Sequence, residues 1–409
     1  MKLSIKRQDI ALIITTLFVA FVGICRYRVI ADLGDVILPV EVILFILMFI
    51  KLEKKNLRVS LFWLYFILII YREVVSFIWR GGIYGEARKI IYREFGVLIV
   101  TFAAISWGIG KKLFLYIRDI GTVIAFYCMY EFINKNNFFT SLIKDENMKY
   151  MSNSMGLQSW RVRGPFVHPI ICAVFLTVIW IILCYYPYKN RWLTLITQIV
   201  VFVTLLGTKS RSSWVSFFIV NVLFIISKAI GSRKINRNSL YFLILSIIMI
   251  LLLGAIFSDK VYSIFTMAIK RMASGLDASD SGNYNRVTMI TLGINNWIQS
   301  NNMHRLFGYG ADYAIELLRS HAIRGWTKAV DNSYITILLN YGIVGLGLFL
   351  LFLIISIKNF VVSDNKLVKM SSLIVISIYI SAFFYDIFGW FTCTMCFSLF
   401  LLLQDKATQ

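Results

Sequence analysis

Four short polar motifs interrupt an otherwise apolar chain: Arg161-Val162-Arg163-Gly164, Lys209-Ser210-Arg211, the segment around Arg286, and Asp331-Asn332-Ser333-Tyr334. The first three supply cations and the last a carboxylate. Guanidinium groups present a planar fork of donors that matches phosphate oxygens, and they keep their charge beside a membrane. When a bond to a phosphorylated leaving group breaks, negative charge builds on the departing oxygen, and cations placed there stabilise the transition state more than the ground state. Arg161, Arg211 and Arg286 suit that role. An attacking hydroxyl must also lose its proton, and a positioned carboxylate or imidazole typically contributes about 10² to 10⁴ in rate; Asp331 and His168 are the candidates.

These residues have to be positioned by membrane helices. The chain has 409 residues, of which 59% are hydrophobic and 16% aromatic, and a mean hydropathy of +0.75. Soluble proteins average roughly 45–50% apolar, so the composition is that of an integral membrane protein. A span needs about 20 apolar residues, and about twelve segments qualify. They are residues 9–25, 36–50, 60–78, 90–108, 113–133, 166–186, 192–207, 212–229, 239–257, 332–357, 369–385 and 387–404. The expected fold is an all-α polytopic membrane protein. The first span ends in Gly23-Ile24-Cys25-Arg26, without a small-residue cleavage pattern, and is expected to be retained rather than removed as a signal peptide.

With the amino terminus in the cytoplasm, the short inside connections are basic, as the positive-inside rule requires: Lys51, Lys54, Lys55 and Arg58, then Lys111 and Lys112, Lys189 and Arg191, the 228–237 run, and Lys358, Lys366 and Lys369. The organisation is then N-terminal membrane helices (1–133), an extracytoplasmic loop (134–165), central membrane helices (166–257), a large extracytoplasmic loop (258–331), and C-terminal helices with a cytoplasmic tail (332–409). All four motifs face the non-cytoplasmic side. Helical stretches at 261–272, 286–299 and 312–323, joined by Gly- and Asn-rich turns, make the large loop an ordered cap.

The formal net charge is +21. Cations on the outer side, where topology does not call for them, point to a large anionic ligand; the competing reading is that long loops cross regardless of charge. Nucleic acid is a poor candidate for that ligand and none is expected, since the cations are scattered among spans with no soluble reading domain. There is no Walker A loop. The cysteines fall in or beside spans and read as packing residues. The three histidines have no metal-ligand spacing, so no metal and no cofactor are expected.

Each candidate has a structural alternative. Asp331 stands at a predicted helix start, where it is either a base or an N-cap. His168 opens a span and could serve as a helix-start residue. Arg161 and Arg163, beside Trp160, could anchor the interface. Arg211 lies in a connection too short to be a free loop, and a charge held there is functional by default. Arg72, Glu73, Arg88, Arg93, Glu94, Arg118, Asp119 and Glu131 are ionisable groups in apolar stretches; adjacent ones are not expected to face one another on a helix, so each needs a partner elsewhere. The candidate substrate-binding set is Arg161, Arg163, Lys209, Asn332, Tyr334, Arg88 and His321, with Arg93 beside Arg88 as a secondary candidate.

The motifs, in this order, resemble those of the O-antigen ligase and Wzy-type polysaccharide polymerase superfamily. Arg161-Val162-Arg163-Gly164-Pro165-Phe166-Val167-His168-Pro169-Ile170 is similar to its Arg-x-x-Gly-x-Phe-x-His-Pro-Asn pattern, and Lys209-Ser210-Arg211-Ser212-Ser213 to its Ser-Arg-Gly or Ser-Arg-Ser turn. Asn285-Arg286 followed by Leu306-Phe307-Gly308-Tyr309-Gly310 resembles its loop Arg and Gly-x-Gly element. Asp331-Asn332 with Gly342 and Gly345 resembles its His-Asn…Gly-x-x-Gly segment. The resemblance covers roughly residues 155–350. Ile170 departs from the pattern's Asn, and Asp331 stands where the ligases carry a histidine proposed as catalytic.

The resemblance implies a GT-C-like membrane glycosyltransferase in a bacterial inner membrane, with its active site on the periplasmic or extracellular side. Its donor and acceptor would be undecaprenyl-diphosphate-linked glycans, and a Wzz-type co-polymerase could set chain length. A polymerase moves the growing glycan onto a fresh lipid-linked repeat unit; a ligase moves a finished glycan onto another acceptor. A lipid-linked oligosaccharide flippase is the alternative from another class, and it would be expected to show two similar halves.

Overall fold

A helix with no polar side has to be buried or face lipid, and this constraint orders the bundle. The computed structural model describes residues 60–81, 94–96, 98, 101–102, 105, 110–142, 160–166, 168–231, 281–320, 331–388 and 390–405. Over these residues the regular structure is helical and contains no strand. In chain order the helices are α1 (Ser60–Arg80), α2 (Gly110–Asn134), α3 (Pro169–Tyr185), α4 (Arg191–Gly207), α5 (Arg211–Gly231), α6 (Ser281–Gln299), α7 (Asn302–Phe307), α8 (Tyr313–Ser320), α9 (Ser333–Val362), α10 (Lys366–Ala382) and α11 (Phe391–Leu402), with a 3₁₀ turn at Phe138–Leu142.

Apolar on every side, α3 lies at the centre, and all its residues except Trp180 and Cys184 are buried. It is flanked by α2, α4, α5, α10 and α11. The second buried helix, α10, carries Ser371, Ser372, Ser377 and Ser381, small residues that let neighbouring backbones approach closely. Across its contacts, Ser216 Oγ donates to the Ser377 carbonyl at 2.9 Å, Tyr379 Oη to Phe349 at 2.5 Å, and Tyr334 Oη to Tyr379 at 2.9 Å.

Among the described residues, Ser60–Arg80, Lys112–Asn134 and Ser333–Val362 are long and apolar enough to cross a membrane. On α1, Val74, Phe77 and Ile78 are exposed, as residues facing lipid would be. These are features of a helical membrane protein. The predicted spans at 60–78, 113–133, 166–186, 192–207, 212–229, 332–357, 369–385 and 387–404 correspond to α1–α5 and α9–α11. Those at 9–25, 36–50 and 239–257 lie outside the described residues, and 90–108 is helical wherever it is described.

The cap contains helices over 281–299 and 313–320, as expected, and also α7, a turn the sequence reading did not anticipate; the stretch 261–272 lies outside the described residues. Its seating depends on a break in α9. Gly342, with φ of 65° and ψ of −168°, interrupts the helix and leaves carbonyls of the preceding turn without intrahelical donors. The cap supplies them: Tyr309 N bonds the Leu339 carbonyl at 3.1 Å and Gly310 N the Asn340 carbonyl at 2.8 Å. Tyr71 Oη on α1 donates to the Tyr341 carbonyl at 2.7 Å. Gly308 approaches so closely that a Cβ there would collide with the Asn340 carbonyl, and one on Gly342 with that of Leu306. Asn340 Oδ1 also accepts from Ala314 N at 2.9 Å, and Arg80 at the end of α1 pairs with Glu316 on α8.

One expectation is corrected. Arg118 and Asp119, adjacent on α2, do pair, with Nε to Oδ1 at 2.9 Å. The long Arg stem bends back along the helix surface because the Tyr186 carbonyl (3.0 Å) and the Tyr188 ring (4.1 Å) hold the guanidinium there.

Gly342→Ala should lower the thermal unfolding midpoint of the detergent-purified protein. At this φ and ψ, a region essentially confined to glycine, another residue costs about 1–3 kcal/mol, and overlap with Leu306 adds to this. Gly347, exposed in the same helix with open space around it, is the control: alanine there should be neutral or stabilise by roughly 0.5–1 kcal/mol.

Candidate functional site

Polar residues of the motifs gather where one end of α3, α5, α9 and α11 meets the far ends of α4 and α10. The segment 160–166 is held as an extended strap. Its Val162 N bonds the Gly207 carbonyl at 3.0 Å, and Arg161 Nε donates to the Thr208 carbonyl at 2.9 Å. On the other side, the buried Glu131 carboxylate accepts from Gly164 N at 2.7 Å and Arg163 N at 3.3 Å. Asn137 Nδ2 closes the loop on the Gly164 carbonyl at 2.8 Å. The strap therefore joins α2 to the α4–α5 turn, where Lys209 adopts a left-handed φ of 52° and Arg211 begins α5.

Within the strap the two arginines face different surroundings. Arg163 is buried, with Nη2 on Thr140 Oγ1 at 2.7 Å and its guanidinium 5.8 Å from the Trp160 ring. Arg161, Lys209 and Arg211 remain half-exposed. The sequence reading did not separate Arg161 from Arg163.

His168 is the N-cap of α3, its Nδ1 accepting from Ile170 N at 3.3 Å. A neutral imidazole accepting at Nδ1 carries its proton on Nε2, which is then a donor. The ring stacks on Tyr385 (5.0 Å between centroids, 11° between planes) and lies 5.8 Å from Trp390. Residues 383–390, between α10 and α11, thus bring His168 to the start of α9. The cap of α9 is Asn332, not Asp331: Asn332 Oδ1 accepts from Tyr334 N at 2.9 Å and Ile335 N at 3.1 Å, while its Nδ2 donates to the Phe383 carbonyl. Asp331 precedes the cap and is half-exposed. Tyr334 is turned inward to Tyr379.

Asp386 is the residue the sequence reading missed. Its carboxylate accepts from Ser333 Oγ at 3.1 Å and Thr336 Oγ1 at 3.3 Å, on the first turn of α9. Loss of surrounding water pushes its pKa up to about 6; the two hydroxyls and Arg72 hold it back, and the negative Asp331 adds to the rise. Burial likewise raises the Tyr385 phenol, reinforced by Asp331 and Asp386, so it stays protonated. The available signal was an ionisable residue in the tight connection between two closely spaced apolar spans.

Asp386 also lines a cavity of about 100 Å³ that runs between α1, α9 and α11 beneath the cap. Arg72, Glu94, Asp312, Thr336 and Tyr341 share its wall with several aromatic rings. Arg72 and Glu94 form an ion pair, with the guanidinium 5.1 Å from the Tyr341 ring. Of the remaining candidates, Arg286 lies on α6, while Arg88, Arg93 and His321 fall outside the described residues.

Residues 196–350 match the family described as O-antigen ligase. No curated protein matches the chain. The match supports the resemblance read from the motifs over the stretch that holds Lys209, Arg211, Arg286, the Gly308–Gly310 turn, Asp331 and Gly342. The strap, His168 and Asp386 lie outside it.

Glu131→Ala should loosen the strap. It leaves the buried N–H groups of Arg163 and Gly164 without an acceptor, at about 1–3 kcal/mol each. Hydrogen–deuterium exchange over residues 162–166 should accelerate while the centre of α3 stays protected; unchanged exchange in the strap would show that Glu131 does not hold it.

Proposed function

We propose that this chain polymerises undecaprenyl-diphosphate-linked oligosaccharide repeat units on the outer face of a bacterial inner membrane, releasing undecaprenyl diphosphate. The observation that carries the reading is the meeting of a partly buried carboxylate, Asp386, with His168 and Asp331 at helix ends near the strap and turn that bear Arg161, Lys209 and Arg211, in a chain whose residues 196–350 match the family described as O-antigen ligase.

The acceptor hydroxyl oxygen bonds to the anomeric carbon of the donor glycan. The bond from that carbon to the diphosphate oxygen breaks, and its electron pair leaves with the diphosphate. The hydroxyl proton passes to Asp386. Arg161 and Arg211, with Arg286 from the cap, stabilise the charge on the departing diphosphate. His168 contributes its Nε2–H as a donor to the same oxygens, since its Nδ1 is committed to the helix cap. The hydroxyls of Ser333 and Thr336 orient the Asp386 carboxylate, burial raises its basicity, and Asp331 adds to this as a nearby like charge. A carboxylate with a pKa near the working pH is a better base than an unperturbed Asp. The organisation into membrane helices, cap and strap serves this chemistry by excluding water from the carboxylate and fixing the cations.

The family's description also supports a ligase that delivers a finished glycan to a different acceptor. Purified protein given one lipid-linked repeat unit separates the readings. A ladder of products without a second acceptor is expected; transfer only after adding a second acceptor indicates the ligase, and movement of substrate across vesicles without transfer indicates a flippase. Arg211→Ala should lose the ladder while the protein remains folded in the membrane.

The pH dependence assigns the base. Asp386 is protonated below about 6 and ionised above it, so transfer should rise as pH passes upward through 6. Asp331→Asn removes a charge that helps raise this pKa, so the rise should move to lower pH with transfer retained. Loss of transfer at every pH in Asp331→Asn would make Asp331 the proton acceptor instead.

A further inference from the structure

A cap helix that faces water turns its polar side chains outward and its apolar ones inward. On α7 the order is reversed. His304 Nδ1 lies 3.0 Å from the Gly308 carbonyl, and its ring meets those of Trp79 and Tyr309 at 4.3 and 3.9 Å between centroids. Arg305 folds back to donate to the Ile298 carbonyl on α6. After Asn302 at its start, the exposed residues of α7 are Met303, Leu306 and Phe307. Ile294 and Ile298, one turn apart on α6, are exposed as well. A contiguous apolar surface of this kind marks a contact with a membrane or with another protein.

The depth of α7 favours the membrane. Gln404 and Asp405, neighbours in the chain, bond the far ends of both α9 and α1: Asn359 Nδ2 donates to Gln404 Oε1 at 3.2 Å and Ser60 Oγ to Asp405 Oδ2 at 2.9 Å. The two helices therefore leave from one level. At roughly 1.5 Å per residue, both Arg80 at the end of α1 and Gly342 at the break of α9 lie about 30 Å further on, which is the thickness of the hydrocarbon core. The cap meets the bundle at that level. The Leu306 carbonyl lies against Gly342, and Ala311 N donates to Ser76 Oγ, one turn below Arg80, at 3.0 Å. Trp79, the residue against His304, is itself exposed and follows Phe77 and Ile78, which face outward from a membrane-length helix. A tryptophan at the end of a span is the usual occupant of the boundary between hydrocarbon and headgroups.

We propose that α7 and the last turns of α6 are a lipid-docking surface, immersed in the hydrocarbon edge of the leaflet on the cap's side and continuous with the lipid-facing residues of α1. The partner is the acyl chains of that leaflet. This surface stands apart from the glycosyl-transfer reading and does not depend on it. Its consequence is structural: the segment that touches lipid leads directly into the Gly308–Gly310 turn that satisfies the break in α9, so the bilayer helps to hold the cap in register with the bundle.

Photocrosslinking of the purified full chain in vesicles of phosphatidylethanolamine and phosphatidylglycerol tests this. p-Benzoylphenylalanine replaces, one at a time, Met303 and Ile298, Phe77 as the reference on α1, and Arg319 as the reference on α8. All four positions are exposed, so the bulky residue requires no repacking. Intact mass then separates phospholipid adducts from crosslinks to a second copy of the chain. Adduct yields at Met303 and Ile298 should approach that at Phe77 and exceed that at Arg319 severalfold. Yields no higher than at Arg319, or crosslinks at Met303 to a second copy in place of phospholipid, would overturn the proposal.

Discussion

The break in α9 at Gly342 is the constraint on which the outer half of this protein depends. A backbone in apolar surroundings cannot leave its carbonyls unbonded, so a helix interrupted there is stable only if something else supplies donors. The Gly308–Gly310 turn does so from the cap and Tyr71 from α1. This makes the cap part of the bundle instead of an appendage, since the same contacts that satisfy α9 fix the cap in place. Both partners have to be glycine at the crossing, because each Cβ would enter the other's backbone. The short segment of α9 before the break is thereby held against the cap at one end and against Asp386 at the other.

The strap obeys the same rule by different means. A carboxylate buried within α2 would be costly alone, and backbone N–H groups of an irregular segment buried among helices would be equally costly. Glu131 and the strap solve each other's problem. The result fixes Arg161 beside the α4–α5 turn, so the cations of two distant motifs share one surface. His168 then continues directly from the strap into the cap of α3, which ties the imidazole's position to the same arrangement.

The spans were legible because hydropathy over a membrane-length window is a strong and local signal, and α1 to α5 and α9 to α11 lie where it puts them. The strap arginines, the α4–α5 turn and the Asp331 segment were legible as motifs. Their division of labour was not. Whether Arg161 or Arg163 turns outward depends on Thr140 and Trp160, and which of Asp331 and Asn332 caps α9 depends on one residue of register; neither is encoded in local composition. Asp386 went unread because its meaning comes from Ser333, Thr336 and Arg72, residues 50 or more positions away. The Arg118–Asp119 pair shows the converse: a local rule about neighbours on a helix gave way to a carbonyl and a ring contributed by Tyr186 and Tyr188.

The separation of charge gives the arrangement a chemical direction. Glycosyl transfer from a lipid diphosphate needs positive charge at the leaving oxygen and a basic oxygen at the attacking hydroxyl, and these demands conflict if the two groups share one pocket, because each would neutralise the other. Here the cations sit on the strap and the α4–α5 turn, and the carboxylates sit on the cavity wall between α1, α9 and α11. Among the described residues one guanidinium, that of Arg72, lines the acidic side, and its ion pair with Glu94 limits its suppression of Asp386. Burial keeps that carboxylate basic, and the like charge of Asp331 adds to the rise. Arg72 and Asp331 therefore act on Asp386 in opposite senses, and a polar group missed in the sequence becomes the point where the donor and acceptor halves of the proposed reaction meet.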